Sequence, residues 1–230
     1  MCILKGNPLL ARKPADQSVN REDIIIAAAD ALHRNGYEAT TMKDIAAEVN
    51  LTAASLYHHF RNKDALLLAV LEEGLNQVIG LIEPVIEAQK SNAEKLAEMI
   101  RLHVVNVTRN TTVGAAMVFE IRSLMNSKAP RNGDKPTNMV YEDFLQRRDN
   151  FFARRDYFEK LFREVVKSGI RDGEFREVDA AIYAKTMLGA HNWVAVWYHE
   201  GGRLTGAQIA DQMADTFLRA LTAESQINGR

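Results

Sequence analysis

The stretch TMKDIAAEVNLTAASLYHHFRNKDAL, residues 41–66, contains two short runs with helical spacing, each opened by a threonine and joined by VNLT. Thr41 is expected to cap a helix whose Ile45, Ala46 and Val49 face inward, with Asp44 at the third helical position, where a carboxylate suits the helix dipole. That helix should stop at Asn50, because asparagine tolerates the left-handed backbone that glycine usually supplies. Thr52 caps a second helix ending near Phe60, and Asn62 caps a long one running to an expected break at Pro84. Two short helices joined by a tight turn form a helix-turn-helix, whose second helix enters a DNA major groove with its N-terminus leading.

The side chains suit that task. Ala53 and Ala54 allow close approach to base edges and offer methyls to thymine, and Ser55 can hydrogen-bond there. The helix N-termini at Thr41 and Thr52 present free N–H groups where a phosphate binds. Tyr57, His58, His59 and Lys63 can donate to phosphates or bases. Two-helix corners also occur in many all-α proteins that bind no DNA, so spacing alone leaves that alternative open. A metal site at His58 and His59 is not expected: neighbours on a helix point about 100° apart and no third ligand is near. One of the two histidines is expected to pack inward and the other to face solvent.

Composition neither announces nor forbids nucleic acid. The chain has 230 residues, 47% of them apolar, and a formal net charge of −1. Its first 70 residues carry eight basic and eight acidic side chains, so any DNA affinity must come from local geometry. Such a length can bury a small core and a larger one. The opening MCILKGNPLLARKPADQ meets Lys5 and Pro8 before an apolar signal segment develops, and no apolar run of membrane-spanning length is evident; a soluble cytoplasmic protein without a membrane partner is expected. One cysteine, Cys2, excludes an internal disulfide and a multi-cysteine zinc site, and reads as a free thiol.

Helical periodicity dominates from residue 21 onward, so the fold class is all-α. Asn20 should cap a first helix with Ile25, Ala28 and Leu32 inward and a stop at Gly36. Beyond Pro84, helices are expected near 92–109, 113–127, 138–168, 179–199 and 206–222, with a loop at 127–137 where SKAPRNGDKPT lacks apolar anchors. The expected organisation is an N-terminal tail (1–19), a three-helix helix-turn-helix domain (20–66) and a larger helical domain (67–230) for ligand binding and dimerisation.

The run T-x-x-x-I-A-x-x-V-x-L-T-x-x-S-L-Y-H-H-F-x-N-K-x-x-L, from Thr41 to Leu66, resembles the TetR family of transcriptional regulators, its LYHHF followed by NK being far more specific than a generic helix-turn-helix. Asn50 departs from that family's usual glycine, at a modest expected cost in stability. The resemblance implies double-stranded operator DNA as partner, with Thr41, Thr52, Ser55, Tyr57, His58 and Lys63 as its contacts.

In the C-terminal half, Tyr183, Met187, Ala190, Val194 and Trp197 form a heptad-like line, while Ile182, Gly189, Trp193 and Val196 form a second apolar line on the same helix. A helix apolar nearly all round must be covered on both sides, by its own core and by a partner, unless it is the central helix of a monomer. In the family resembled, the last two long helices of each chain build a four-helix dimer interface, so the first line is the expected homodimer seam. The tail from Arg147 looks like the branch answering to CoA thioesters of fatty or steroid-derived acids, through its RRDxFE, GxFR and NWxxxWY patterns. A small hydrophobic effector, such as an acyl-CoA, needs an apolar slot and cations for its phosphates. Met117, Met125, Phe144, Phe152 and Trp193 are the candidates for the slot, and Arg147, Arg148, Arg154 and Arg155 on one helix with Arg122 on another supply the cations, Arg122 and Arg148 being singled out; Met and aromatic residues at helical spacing also serve as plain core, and arginines as solvated faces.

The function expected is therefore a homodimeric, ligand-responsive repressor. The alternative keeps DNA binding under control of another hydrophobic ligand or a protein partner. An enzyme is not expected, because no phosphate-cradling glycine motif, nucleophile elbow or metal-ligand cluster is present, and neither is a cofactor. His103 and His191 remain as isolated titratable groups.

Overall fold

The computed structural model describes residues 19–126 and 138–222, which form helices joined by short connections with no strand among them. The expected tail up to residue 18, Cys2 and the loop at 127–137 lie outside the described residues. Helix α1 (Arg21–Ala39) starts at Asn20, whose side chain accepts from the Asp23 N–H while the Asp23 carboxylate accepts from the Asn20 N–H. Gly36, at φ +74°, interrupts it and leaves one further turn. Helices α2 (Met42–Glu48) and α3 (Ala53–His59) open at Thr41 and Thr52, each accepting an N–H bond from three residues on. Asn50 adopts the left-handed conformation between them, at φ +56°.

These helices close over a small core of Ile24, Ala28, Ile45, Leu56, Phe60 and Leu66, all at most 3% exposed. Helix α3 has only two turns, so Leu56 and Phe60 supply its inward face. Both His58 and His59 are consequently exposed, correcting the expectation that one would pack.

Helix α4 (Lys63–Glu87) links this core to a larger one: Leu66, Ala69 and Val70 pack into the first, and Leu67, Leu68, Leu71 and everything inward from Leu75 to Val85 into the second. It does not break at Pro84. The missing N–H costs one hydrogen bond near the helix end, and buried Ile82 and Val85 keep the last turn on the core. Helix α4 is long and apolar enough to cross a membrane, yet 56% of its most apolar window is buried inside the protein.

The larger core is completed by α5 (Asn92–Arg109), α6 (Thr111–Phe119), α7 (Ile121–Asn126), α8 (Asn138–Arg171), α9 (Ala180–Trp197) and α10 (Gly206–Leu221). The single helix expected over 113–127 is interrupted at Glu120, a one-residue break held by a tertiary contact described below. Phe151, Phe162, Leu96 and Ile100 are among the fully buried side chains of this core, each contributing about 1.5–3 kcal/mol by removal from water.

Helix α9 splits the expected seam, turning its Met187 and Val194 inward and leaving its Trp197 exposed. Met187 and Val194 are completely buried in the chain's own core, and Tyr183 is half-buried with its hydroxyl donating to the Phe217 carbonyl. The exposed line is the other one, with Ile182 at 62% and Trp193 at 52%, joined by Trp197 at 50%; Ala190 lies between the two faces. Periodicity could not separate two apolar faces of one helix, because both satisfy the same 3.6-residue repeat.

Candidate nucleic-acid interface and effector cavity

The helix-turn-helix presents Thr41, Lys43, Thr52, Ala54, Tyr57, His58 and Arg61 on its exposed surface. Ala53 and Ser55 are partly covered. The Thr41 hydroxyl and N–H both donate to Asp44 and hold its carboxyl below the usual carboxylate range. The Thr52 and Ser55 hydroxyls lie 2.9 Å apart and pair with each other. Exposed Lys43 and Arg61 flank the same surface and carried no spacing signal; only their exposure marks them.

Lys63 is placed differently from its expected role. Its ammonium donates to the carbonyls of Tyr37 at 2.5 Å, Thr40 at 2.9 Å and Glu38 at 3.4 Å, and lies 4.1 Å from the centre of the Tyr37 ring. A lysine has three N–H donors, and all three serve the carbonyls at the end of α1. The Tyr37 hydroxyl donates in turn to Asp64, and burial pushes the phenol well above its ordinary range. These contacts tie the start of α4 to the end of α1. The Tyr37 N–H donates at 3.0 Å to Glu120, the residue between α6 and α7.

A cavity of about 450 Å³ lies between α4, α5, α6, α8 and α9. Leu75, Val78, Val107, Met117, Phe158 and Leu188 give it apolar walls, while Asn106, Asn110 and Asn192 add polar groups. His103 also lines it and is otherwise buried. Arg155 and Lys185 stand at the rim with Asp156 and Glu159. Lys185 pairs with Glu159, whereas Arg155 has no carboxylate within 4.0 Å among the described residues. Helix α6 fits here because a Cβ at Gly74 would meet Val113 at 2.4 Å, and one at Gly114 would meet Ala195 at 2.7 Å.

Of the side chains expected at an effector, Met117 and Arg155 line this cavity and the others lie elsewhere. Arg122 and Met125 are exposed, the latter at 61%. Phe144 and Phe152 pack against the core, Arg148 pairs with Asp149, and Trp193 lies edge-on to exposed Phe119 at 6.3 Å. The cavity residues missed by sequence reasoning include the apolar walls Leu75, Val78, Val107, Phe158 and Leu188 as well as Asn106, Asn110, Asn192 and His103. They have no shared spacing because five helices contribute them.

Comparison with known proteins agrees with this layout. Residues 24–70 match the family described as bacterial regulatory proteins, tetR family, and residues 145–221 match the tetracyclin repressor-like C-terminal domain, together more than half of the chain. The HTH-type transcriptional repressor KstR2 of Mycolicibacterium smegmatis is 26% identical over 211 residues, covering 91% of this chain and 94% of that protein. The TetR family regulator PfmR of Thermus thermophilus superposes with a TM-score of 0.71 at 28% identity, over 85% of this chain and 97% of that one. AibR in complex with isovaleryl coenzyme A and operator DNA superposes with a TM-score of 0.65 at 26% identity, over 87% and 97% of the two chains. The helix-turn-helix unit, the helical domain behind it and these similarities give one conclusion: the chain belongs to the TetR family of DNA-binding transcriptional regulators and is not an enzyme.

Proposed function

We propose that this regulator is a cytoplasmic homodimeric repressor released from a pseudo-palindromic operator by an acyl-CoA ester bound in the α4–α9 cavity. The observation that carries the reading is the double role of α6: Val113, Gly114 and Met117 wall the cavity, and the residue ending α6, Glu120, holds the Tyr37 N–H of the DNA-binding unit. An occupant that displaces α6 therefore acts on the end of α1 and, through Lys63 and Asp64, on the start of α4. A coupling of about 3 kcal/mol between the two sites would lower DNA affinity roughly a hundredfold.

The cavity volume suits a small ligand or the acyl end of a larger one. Arg155 supplies a rim cation without a carboxylate partner, as a CoA phosphate requires. AibR, solved in complex with isovaleryl coenzyme A and operator DNA, supports an acyl-CoA effector by similarity. The exposed line of Ile182, Trp193 and Trp197 is the surface a second copy would cover, setting two recognition helices about 34 Å apart or a multiple of that. Asp156 and Glu159 on the same rim favour a second reading, a neutral hydrophobic effector.

Fluorescence anisotropy of DNA from upstream of the gene, titrated with protein and a panel of acyl-CoA esters, tests the proposal. Release by an ester, but not by its free acid or by CoA, is the expected result. Tight DNA binding that no ester alters would overturn the effector assignment and favour the second reading.

A further inference from the structure

Two histidines from separate helices meet inside the larger core. Nδ1 of His103 on α5 lies 3.3 Å from Nδ1 of His191 on α9, and the rings are only 4% and 0% exposed. Phe158, Phe162 and Phe217 pack edge-on around them. Burial lowers the His103 pKa to about 4 and that of His191 well below its ordinary value, so both are neutral near pH 7. A hydrogen bond between two neutral imidazoles uses one N–H and one lone pair.

Which ring donates follows from the far side of the pair. Nε2 of His191 is buried with no hydrogen-bond partner. Were His103 the donor, His191 would keep its proton on Nε2, burying an unpaired N–H. With His191 as donor, only a lone pair is left without a partner. Unpaired buried N–H groups are the rarer of the two. His191 then donates through Nδ1, and His103, which lines the cavity, carries its own proton on Nε2.

We infer that His103 Nε2–H is the donor for a carbonyl oxygen of the bound effector, so that the cavity selects an acyl thioester over a molecule of the same shape lacking that oxygen. His191 is a positioning residue: it holds the tautomer that makes His103 a donor. The inference rests on the acyl-CoA reading above and adds to it the atom that distinguishes an acyl from an alkyl chain.

The test uses the full chain bound to operator DNA, with butyryl-, octanoyl- and dodecanoyl-CoA beside their S-alkyl-CoA counterparts, which replace the thioester carbonyl by a methylene. For an ester that releases DNA, the thioether should need about tenfold more, as loss of one buried hydrogen bond implies. His103→Phe should bring the ratio close to one by weakening the ester alone, and His191→Phe should reduce it by releasing the tautomer. Both variants are compared after unliganded DNA affinity and thermal melting show a folded protein; the wild-type ratio decides if either fails to fold. Equal potency of ester and thioether on a responsive wild type overturns this inference alone. A wild type indifferent to every ester overturns the effector reading and this inference with it.

Discussion

Glu120 accepts the Tyr37 N–H at 3.0 Å across a sequence separation of 83 residues, joining the end of the cavity wall to the end of α1. Glu120→Ala leaves that part-buried N–H without its acceptor and should cost about 1 kcal/mol of stability. In the proposed repressor it should also reduce the effector-induced loss of DNA affinity while changing unliganded affinity little. Anisotropy titrations with and without effector measure both, and full retention of the effector response would remove Glu120 from the coupling.

Lys63→Ala should lower stability by about 2 kcal/mol, because three carbonyl contacts with a charged donor are lost. Since these donors are already engaged, the salt dependence of DNA binding should change by much less than the slope of about 0.9 associated with one phosphate contact. A change of that full size would return Lys63 to the phosphate-binding role its position in the motif implies.

Asn50→Gly should stabilise the DNA-binding unit by up to about 1 kcal/mol, since at φ +56° a side chain is strained and glycine is not. Part of the gain is offset by the greater freedom of glycine in the unfolded chain. Thermal melting measures the difference, and a clear loss would show that the asparagine side chain contributes more than its backbone costs.

Acid should destabilise the larger domain through the histidine pair. The unfolded His103 binds a proton below its ordinary pKa of 6.5, whereas the folded ring resists until about pH 4, so stability falls with decreasing pH between those values. Across that window the contribution is of order 3 kcal/mol, following the energy per pKa unit. The His103→Phe variant should show a shallower slope in urea denaturation between pH 4 and 6.5; an unchanged slope would assign the acid sensitivity to other groups.

Trp193→Glu places a charge on the exposed line of α9, where Trp193 is 52% exposed. The monomer fold should survive, and the dissociation constant of the proposed dimer should rise by at least about tenfold, since a buried unpaired charge at an interface is strongly unfavourable. Analytical ultracentrifugation reads the result. An unchanged dimer would place the seam elsewhere.

Local chemistry was well expressed along the chain. The caps at Asn20, Thr41, Thr52 and Asn62, the left-handed Asn50 and the turn between α2 and α3 depend on groups three or four residues apart, within reach of sequence reading. The helical class followed from the same short-range periodicity. Of the expected DNA contacts, Thr41, Thr52, Ala54, Tyr57 and His58 are exposed on the helix-turn-helix, because α3 is too short to turn them away, whereas Lys63 is engaged within the chain.

Tertiary packing decided the rest. It carried α4 through Pro84, interrupted α6 at Glu120, and turned the Met187 and Val194 side of α9 inward while leaving Ile182 and Trp193 outside. It engaged Lys63 with the carbonyls of α1, and brought His103 and His191 together across 88 positions. Each outcome depends on which surfaces meet when several helices compete for one core. A sequence pattern repeats along a single helix and specifies which residues share a face; only the neighbouring helices determine what that face meets.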